Sequence, residues 1–134
     1  MPKYTSVTRN KNGKLTYTYD KEQNHKYRRG SCISHKRSGA SRHAKVKGIE
    51  FNLTLVFLKK LWETQEGKCK YTGRALGNIG DGFDSPSIDR IDSNKGYTED
   101  NVQWLCWGAN EMKKNYSEAF FLDICKTIGE HDGT

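Results

Sequence analysis

The stretch SIDRIDSNKGYTEDNVQWLCWGANEMK, residues 87–113, decides the fold. Ser87 to Asp92 alternates with Ile88 and Ile91 apolar, as a half-buried strand does, and VQWLCW from Val102 to Trp107 supplies a second strand. Between them lie a DSNKG turn and a Gly96-Tyr97 pair. Asn110 to Asn115 carries the helix formers Glu111, Met112, Lys113 and Lys114. Two antiparallel strands followed by a helix can aim side chains from the first strand and from the helix at one point. Asp89 on the strand and Asn110 at the helix start would then both present oxygens to a single hard cation. Carboxylate and amide oxygens suit Mg²⁺, Mn²⁺ or Ca²⁺, and a cation held by few protein ligands keeps positions open for phosphate. Asp92 reads as an Asx turn at least as readily as a second acid.

The surroundings are polar. The chain has 134 residues, 34% of them hydrophobic, and a mean hydropathy of -0.92, which fits one domain with a modest core. The net charge of +7 is unevenly spread: residues 1–48 hold 13 Lys or Arg against 2 Asp or Glu, and the remainder holds 10 against 14. A concentrated positive segment gains free energy beside a polyanion by releasing condensed counterions, so nucleic acid is the first partner to consider. Arg37, Arg42, Lys45 and Lys47 are the candidate phosphate contacts. No run approaches the roughly 20 apolar residues needed to span a bilayer, the N-terminal residues have no apolar secretory core, and the basic segment has no apolar stripe for a lipid surface. The expectation is a soluble, cytoplasmic protein without a membrane partner. Four widely spaced cysteines, Cys32, Cys69, Cys106 and Cys125, form no CxxC pair and are read as reduced thiols.

Upstream, Asn12-Gly13 between two β-prone runs predicts a hairpin on a two-residue type I′ turn, or an extended arm. RRGSCISHKRSG (28–39) reads as loop, and ASRHAKVK (40–47) as two helical turns closed by Gly48. Thr54 caps a helix whose apolar face is Leu55, Leu58, Leu61 and Trp62, stopped by Gly67. The loop 74–86, with glycines at 77, 80 and 82, is expected to be irregular. Ser117 caps a last helix with Phe120, Phe121, Ile124, Cys125 and Ile128 on one face, ended by Gly129. Trp62, Trp104, Trp107, Phe120 and Phe121 are read as core. His25, His35, His43 and His131 match no metal-ligand spacing and are read as surface.

The motif S-I-D-R-I-D, G-Y, N-V, C-W, N-x-M-K resembles the ββα-metal finger of HNH endonucleases, in the small phage and prophage form, and KGIEFNLTLVFLKKLWETQEGKCKYTG (47–73) resembles what precedes it there. The resemblance covers about residues 40–128. It implies an α+β fold, a finger at about 87–115 packed with flanking helices, a nuclease domain over 40–134 and a basic N-terminal arm over 1–39. It implies metal-dependent cleavage or nicking of DNA with Mg²⁺ or Mn²⁺. In that frame Asp89 and Asn110 are the metal ligands, Asn101 braces the loop between the strands, and Lys113 and Lys114 touch DNA. Phage packaging or replication proteins are candidate partners.

Two departures qualify the match. Many such enzymes have a water-activating His after the metal-binding Asp, where this chain has Arg90, which stays protonated but can clamp phosphate. Water activation would then fall to the metal, to Asp92, or to a histidine elsewhere such as His43 or His35. The zinc-knuckle pairs are reduced to CKYT (69–72) and CWGA (106–109), which argues against a structural zinc and leaves Cys69 and Cys106 to pack as small apolar groups. The alternative function is a catalytically inactive HNH-like protein that binds nucleic acid.

Overall fold

A computed structural model describes residues 4–19 and 21–132, with side chains over 8–15 and 29–132. The element order is β1 (Tyr4–Arg9), β2 (Leu15–Tyr19), α1 (Lys21–Lys47), α2 (Leu55–Thr64), β3 (Pro86–Arg90), β4 (Val102–Cys106), α3 (Trp107–Lys113) and α4 (Glu118–His131). β1 pairs with β2 and β3 with β4, each as an antiparallel two-stranded sheet. No helix among the described residues is long and apolar enough to cross a membrane.

The expected N-terminal hairpin is present, on a different turn. Asn10 N donates to the Lys14 carbonyl and Gly13 N to the Asn10 carbonyl, both at 3.0 Å, and the Asn10 side chain accepts from the Asn12 and Lys14 amides. Within this turn only Gly13 has positive φ, +79°. This is a three-residue loop with Gly in the left-handed position, rather than the two-residue turn that Asn12-Gly13 predicted.

The reading of 28–39 as loop is overturned, because α1 runs unbroken through it to Lys47. The expected division of the chain at residue 39 therefore falls inside a helix. Cys32, Ile33, Ala40 and Ala44 form its buried stripe, at helical spacings spread too thinly among basic residues to stand out in the sequence. Gly30 and Gly39 cost helix propensity, which that packing offsets. Gly48, with φ +67°, closes α1 as expected, and Ile49 N bonds back to the Ala44 carbonyl at 3.0 Å.

α2 follows its sequence closely. Thr54 Oγ1 accepts from Phe57 N, Leu58 and Trp62 are buried, and Gly67 takes φ +67°. The main core gathers Ile33, Ala40 and Ala44 of α1, Leu53, Leu58, Trp62, Tyr97, and Val102 and Trp104 of β4. Trp62 and Trp104 meet edge to face with centroids 5.2 Å apart, and the Trp104 indole N–H donates to the Leu58 carbonyl. Fully burying such side chains contributes on the order of 2–3 kcal/mol each. A second cluster holds Cys69, Leu105, Cys106 and Ala109.

The C-terminal expectations fare differently. Ser117 caps α4 through Phe120 N, but the helix continues past Gly129 to His131 and buries no residue. Phe120, Ile124 and Ile128 are exposed, and so is Trp107, all of them read as packed from their pattern. An apolar face is buried only if another element lies opposite. The start of α4 meets the body through Tyr71, whose ring lies against Phe121 with centroids 5.7 Å apart.

Candidate active site

The site lies along β3, which pairs with β4 on one side only. The register places Ile88 opposite Trp104 and Asp89 opposite Gln103. Side chains alternate along a strand, so Ile88 joins the main core while Ser87 and Asp89 share the other face. α3 lies against that face. Residues three apart on a helix share one side, and Asn110 and Lys113 meet the two strand residues in turn. The Asn110 amide donates to Ser87 Oγ, and Lys113 Nζ reaches Asp89 Oδ1 at 3.1 Å.

Asp89 is 4% exposed and Lys113 fully buried. Lys113 also donates to the Arg90 carbonyl at 3.0 Å, and Gln103 Nε2 donates to Asp89 Oδ2 at 3.0 Å and to Tyr71 Oη at 2.8 Å. Tyr71 in turn donates to Glu118 Oε1 at 2.9 Å, so a hydrogen-bonded chain runs from the start of α4 to the carboxylate. Burial pushes the Asp89 carboxyl above its ordinary range, against the Gln103 hydrogen bond and the Lys113 charge that pull it down. Burial, helped by Glu118, holds the Tyr71 hydroxyl above its ordinary value. Lys113 is therefore not the phosphate contact the sequence led us to expect; its head group is the internal counterion of Asp89.

Asn101 occupies the bracing position. Its Oδ1 accepts from Asp92 N at 2.9 Å, and its Nδ2 donates to the carbonyls of Asp92 at 3.0 Å and Gly96 at 2.8 Å. Asp92 makes the Asx turn, accepting from Asn94 N at 2.9 Å. The Gly-Tyr pair has a steric reason: a Cβ on Gly96 would run into the Glu50 carbonyl, to which Tyr97 N donates at 2.8 Å. Arg90 is pinned by that loop. Its Nη1 donates to the Ser93 and Lys95 carbonyls at 3.0 and 3.1 Å, and its guanidinium lies over the Tyr97 ring at 5.3 Å.

Asp89, Arg90 and Asn110 line one cleft of about 260 Å³, together with His43, Ile88, Ser93, Tyr97, Glu111, Lys114 and Asn115. A larger cavity of about 580 Å³, lined by Arg29, Cys32, Trp62, Glu63 and Glu66 among others, lies away from these residues; its lining does not bring together the groups that phosphate chemistry needs. Of the basic candidates, Arg42, Lys45, Lys47 and Lys114 are exposed. Arg37 is committed to the fold, donating to the Leu53 carbonyl at 2.8 Å and lying over Phe51 at 5.4 Å. His35 and His131 are exposed, and the His25 side chain falls outside the described residues. Cys69 and Cys106 are buried free thiols. Burial raises the Cys106 thiol, whereas at Cys69 hydrogen bonds from Thr72 and the Cys106 backbone outweigh burial and lower it.

Gln103 and Ser87 were not singled out as site residues, and His43 was named only as one of several groups that could activate water. Gln103 and Ser87 were accessible in principle, because antiparallel pairing puts a β4 residue opposite Asp89 and period two puts Ser87 on its face. His43 was not, since its approach depends on how α1 crosses β3.

No family model matches the chain. The chain is 32% identical over 121 residues, 90% of its length, to uncharacterized protein R423 of Acanthamoeba polyphaga mimivirus, and the match spans 19% of that protein. It thus spans about a fifth of that relative's length. A solved structure of the rare-cutting HNH restriction endonuclease PacI is similar with a TM-score of 0.57 at 19% identity, over 74% of this chain and 78% of that one. The fold is HNH-like, a mixed arrangement of helices and small antiparallel sheets.

Proposed function

We propose that the chain is a divalent-cation-dependent DNA endonuclease or nicking enzyme of the HNH type, hydrolysing phosphodiester bonds in the β3–α3 cleft. The observation that carries this reading is the convergence of Asp89, Arg90 and Asn110 on one polar cleft of an HNH-like fold.

The donor set fits a hard cation. Asp89 and Asn110 offer oxygen ligands of the type Mg²⁺ or Mn²⁺ takes, and the Asn110 amide donates its nitrogen to Ser87, which turns its oxygen away from that bond. Among the described residues no three His, Cys, Asp or Glu side chains are grouped to hold a metal, so protein ligands would be few and affinity modest. When bound, such an ion polarises the scissile phosphate and neutralises charge on the leaving oxygen. The chain's own residues do the rest. Asn101 fixes the loop that aims Arg90, and Arg90 offers its remaining N–H groups to a phosphate oxygen. Lys47 and Lys114 near the cleft, with Arg42 and Lys45 further along α1, bind the DNA backbone with little sequence preference.

One observation favours a second reading, a catalytically silent DNA-binding protein: Lys113 already places a positive charge on Asp89. Incubating supercoiled plasmid with the protein and Mg²⁺ or Mn²⁺ separates the two. Conversion to nicked or linear DNA, abolished by chelator, supports the enzyme; retarded migration without cleavage under either ion supports the binder.

A further inference from the structure

The residue after Asp89, where the resemblance implies a proton acceptor, is Arg90. Asp92, another acid of the same stretch, spends its side chain on the Asx turn to Asn94. The remaining groups around the cleft are unsuitable. Arg90 and Lys114 are cations, Glu111 pairs with Lys114 at 2.7 Å, and burial raises the Tyr97 hydroxyl. His43 is different. It comes from α1, lines the cleft with Asp89, Arg90 and Asn110, and also lines the adjoining groove with His35, Lys36, Gly39, Ser87 and Tyr97. Its ring stands edge-on to Tyr97, centroids 5.9 Å apart and planes at 89°, and Tyr97 is itself anchored to the Glu50 carbonyl and stacked under Arg90. The same tyrosine thus positions the arginine and the imidazole.

We infer that His43, delivered by α1 rather than by the finger, is the general base of the β3–α3 site. The inference rests on the nuclease reading above. The imidazole takes one proton from a water as that water's oxygen bonds to phosphorus. The P–O ester bond breaks, its electron pair leaves with the ester oxygen, and that oxygen takes a proton from solvent. The products are a phosphomonoester and an alcohol, and His43 returns its proton to bulk water. The charged and titratable groups around His43 are His35, Lys36 and Lys47 on its own helix, Asp89 and Arg90 on β3, Tyr97 in the loop, and Glu111 on α3 with Lys114 at its C-terminal end. Desolvation at the cleft, then Arg90, then Lys47 lower its pKa below the ordinary imidazole value, which favours the neutral, proton-accepting form.

The test compares wild type, His43→Ala, His43→Gln and Asp89→Asn on supercoiled plasmid, with DNA affinity measured in parallel. Both His43 variants should bind DNA as wild type does and cleave about 100-fold or more slowly. Imidazole added to the buffer should restore His43→Ala but not Asp89→Asn, and the acid limb of the wild-type pH profile should vanish from the residual rate of His43→Gln. In chelator, without divalent ion, a short DNA duplex should shift the His43 ring C–H resonances and leave those of His131 in place. Cleavage by His43→Ala at the wild-type rate, a slowing matched by lost DNA affinity, an acid limb that persists in His43→Gln, or unshifted His43 resonances would overturn the assignment while leaving the nuclease reading intact. A wild-type protein that cleaves with neither Mg²⁺ nor Mn²⁺ overturns both.

Discussion

The inner and outer sides of the β3–α3 junction come from the same few residues, and they are finished in opposite ways. On the inner side every polar group is matched: Lys113 to Asp89, Gln103 to Asp89 and Tyr71, Tyr71 to Glu118. On the outer side His43, Arg90, Asn110 and Lys114 ring a cleft open to solvent. Lys113 and Lys114 are neighbours in sequence, one fully buried and one exposed. Charge beside a site thus has two uses, and burial decides between them. A sealed charge holds the carboxylate in place, and an open one stays in contact with solvent.

The largest effect should fall on the sealed side. Lys113→Met removes one partner of a buried pair, a change that costs about 3–5 kcal/mol when the other charge stays uncompensated. The lower end applies here, because a carboxyl that burial already pushes up can escape by taking a proton. The sign of the pH dependence follows. With its folded pKa raised further above the unfolded value, Asp89 destabilises the variant as pH rises through that folded value. Urea unfolding should therefore show a smaller deficit near pH 4 than at pH 7, and equal deficits at both would show that the pair is not the cause.

The brace comes next. Asn101→Ala removes three hydrogen bonds and leaves the Asp92 N–H without its acceptor, a loss of about 1–3 kcal/mol. Amide exchange at Asp92 and Tyr97 should accelerate with it, and unchanged protection would mean that the loop holds by other contacts.

On the open side, Lys47→Ala and Lys114→Ala should leave stability within about 0.5 kcal/mol while each lowers the slope of log affinity against log salt by about 0.9. A steeper or unchanged slope would remove them from the DNA path. The smallest effect should come from α4. Phe120→Ser, at a residue 50% exposed, should shift stability by less than about 0.5 kcal/mol, against about 2–5 kcal/mol for Leu58→Ala in α2.

The two helices also mark what the sequence could convey. α2 and α4 show the same capped, amphipathic pattern, and Leu58 and Trp62 are covered while Phe120 and Ile124 are not. Periodicity reports that a face is apolar; the partner is a tertiary fact. The strand pair and the short helix after it were legible because their spacing carries both patterns, and the Asn101 side chain makes three hydrogen bonds across the loop between the strands. Lys113 misled because one turn along from Asn110 describes a helix face equally well whether it meets solvent or Asp89. α1 was missed where Gly30, Ser31, Ser38 and Gly39 read as loop and the stripe of Ile33, Ala40 and Ala44 was too small to outweigh them. The approach of His43 depends on how α1 crosses β3, which no local pattern encodes.

The most direct measurement is plasmid cleavage by wild type, Asp89→Asn and Asn110→Ala, each first shown by circular dichroism to be folded. Asn at 89 is preferred to Ala because it keeps the size of the side chain and one acceptor oxygen for Lys113 or Gln103. Wild type should nick or linearise supercoiled DNA with Mg²⁺ or Mn²⁺, and each variant should lose on the order of 100-fold in rate while still binding. Wild type that binds without cutting, or variants that cut as fast as wild type, would contradict the assignment of catalysis to this cleft.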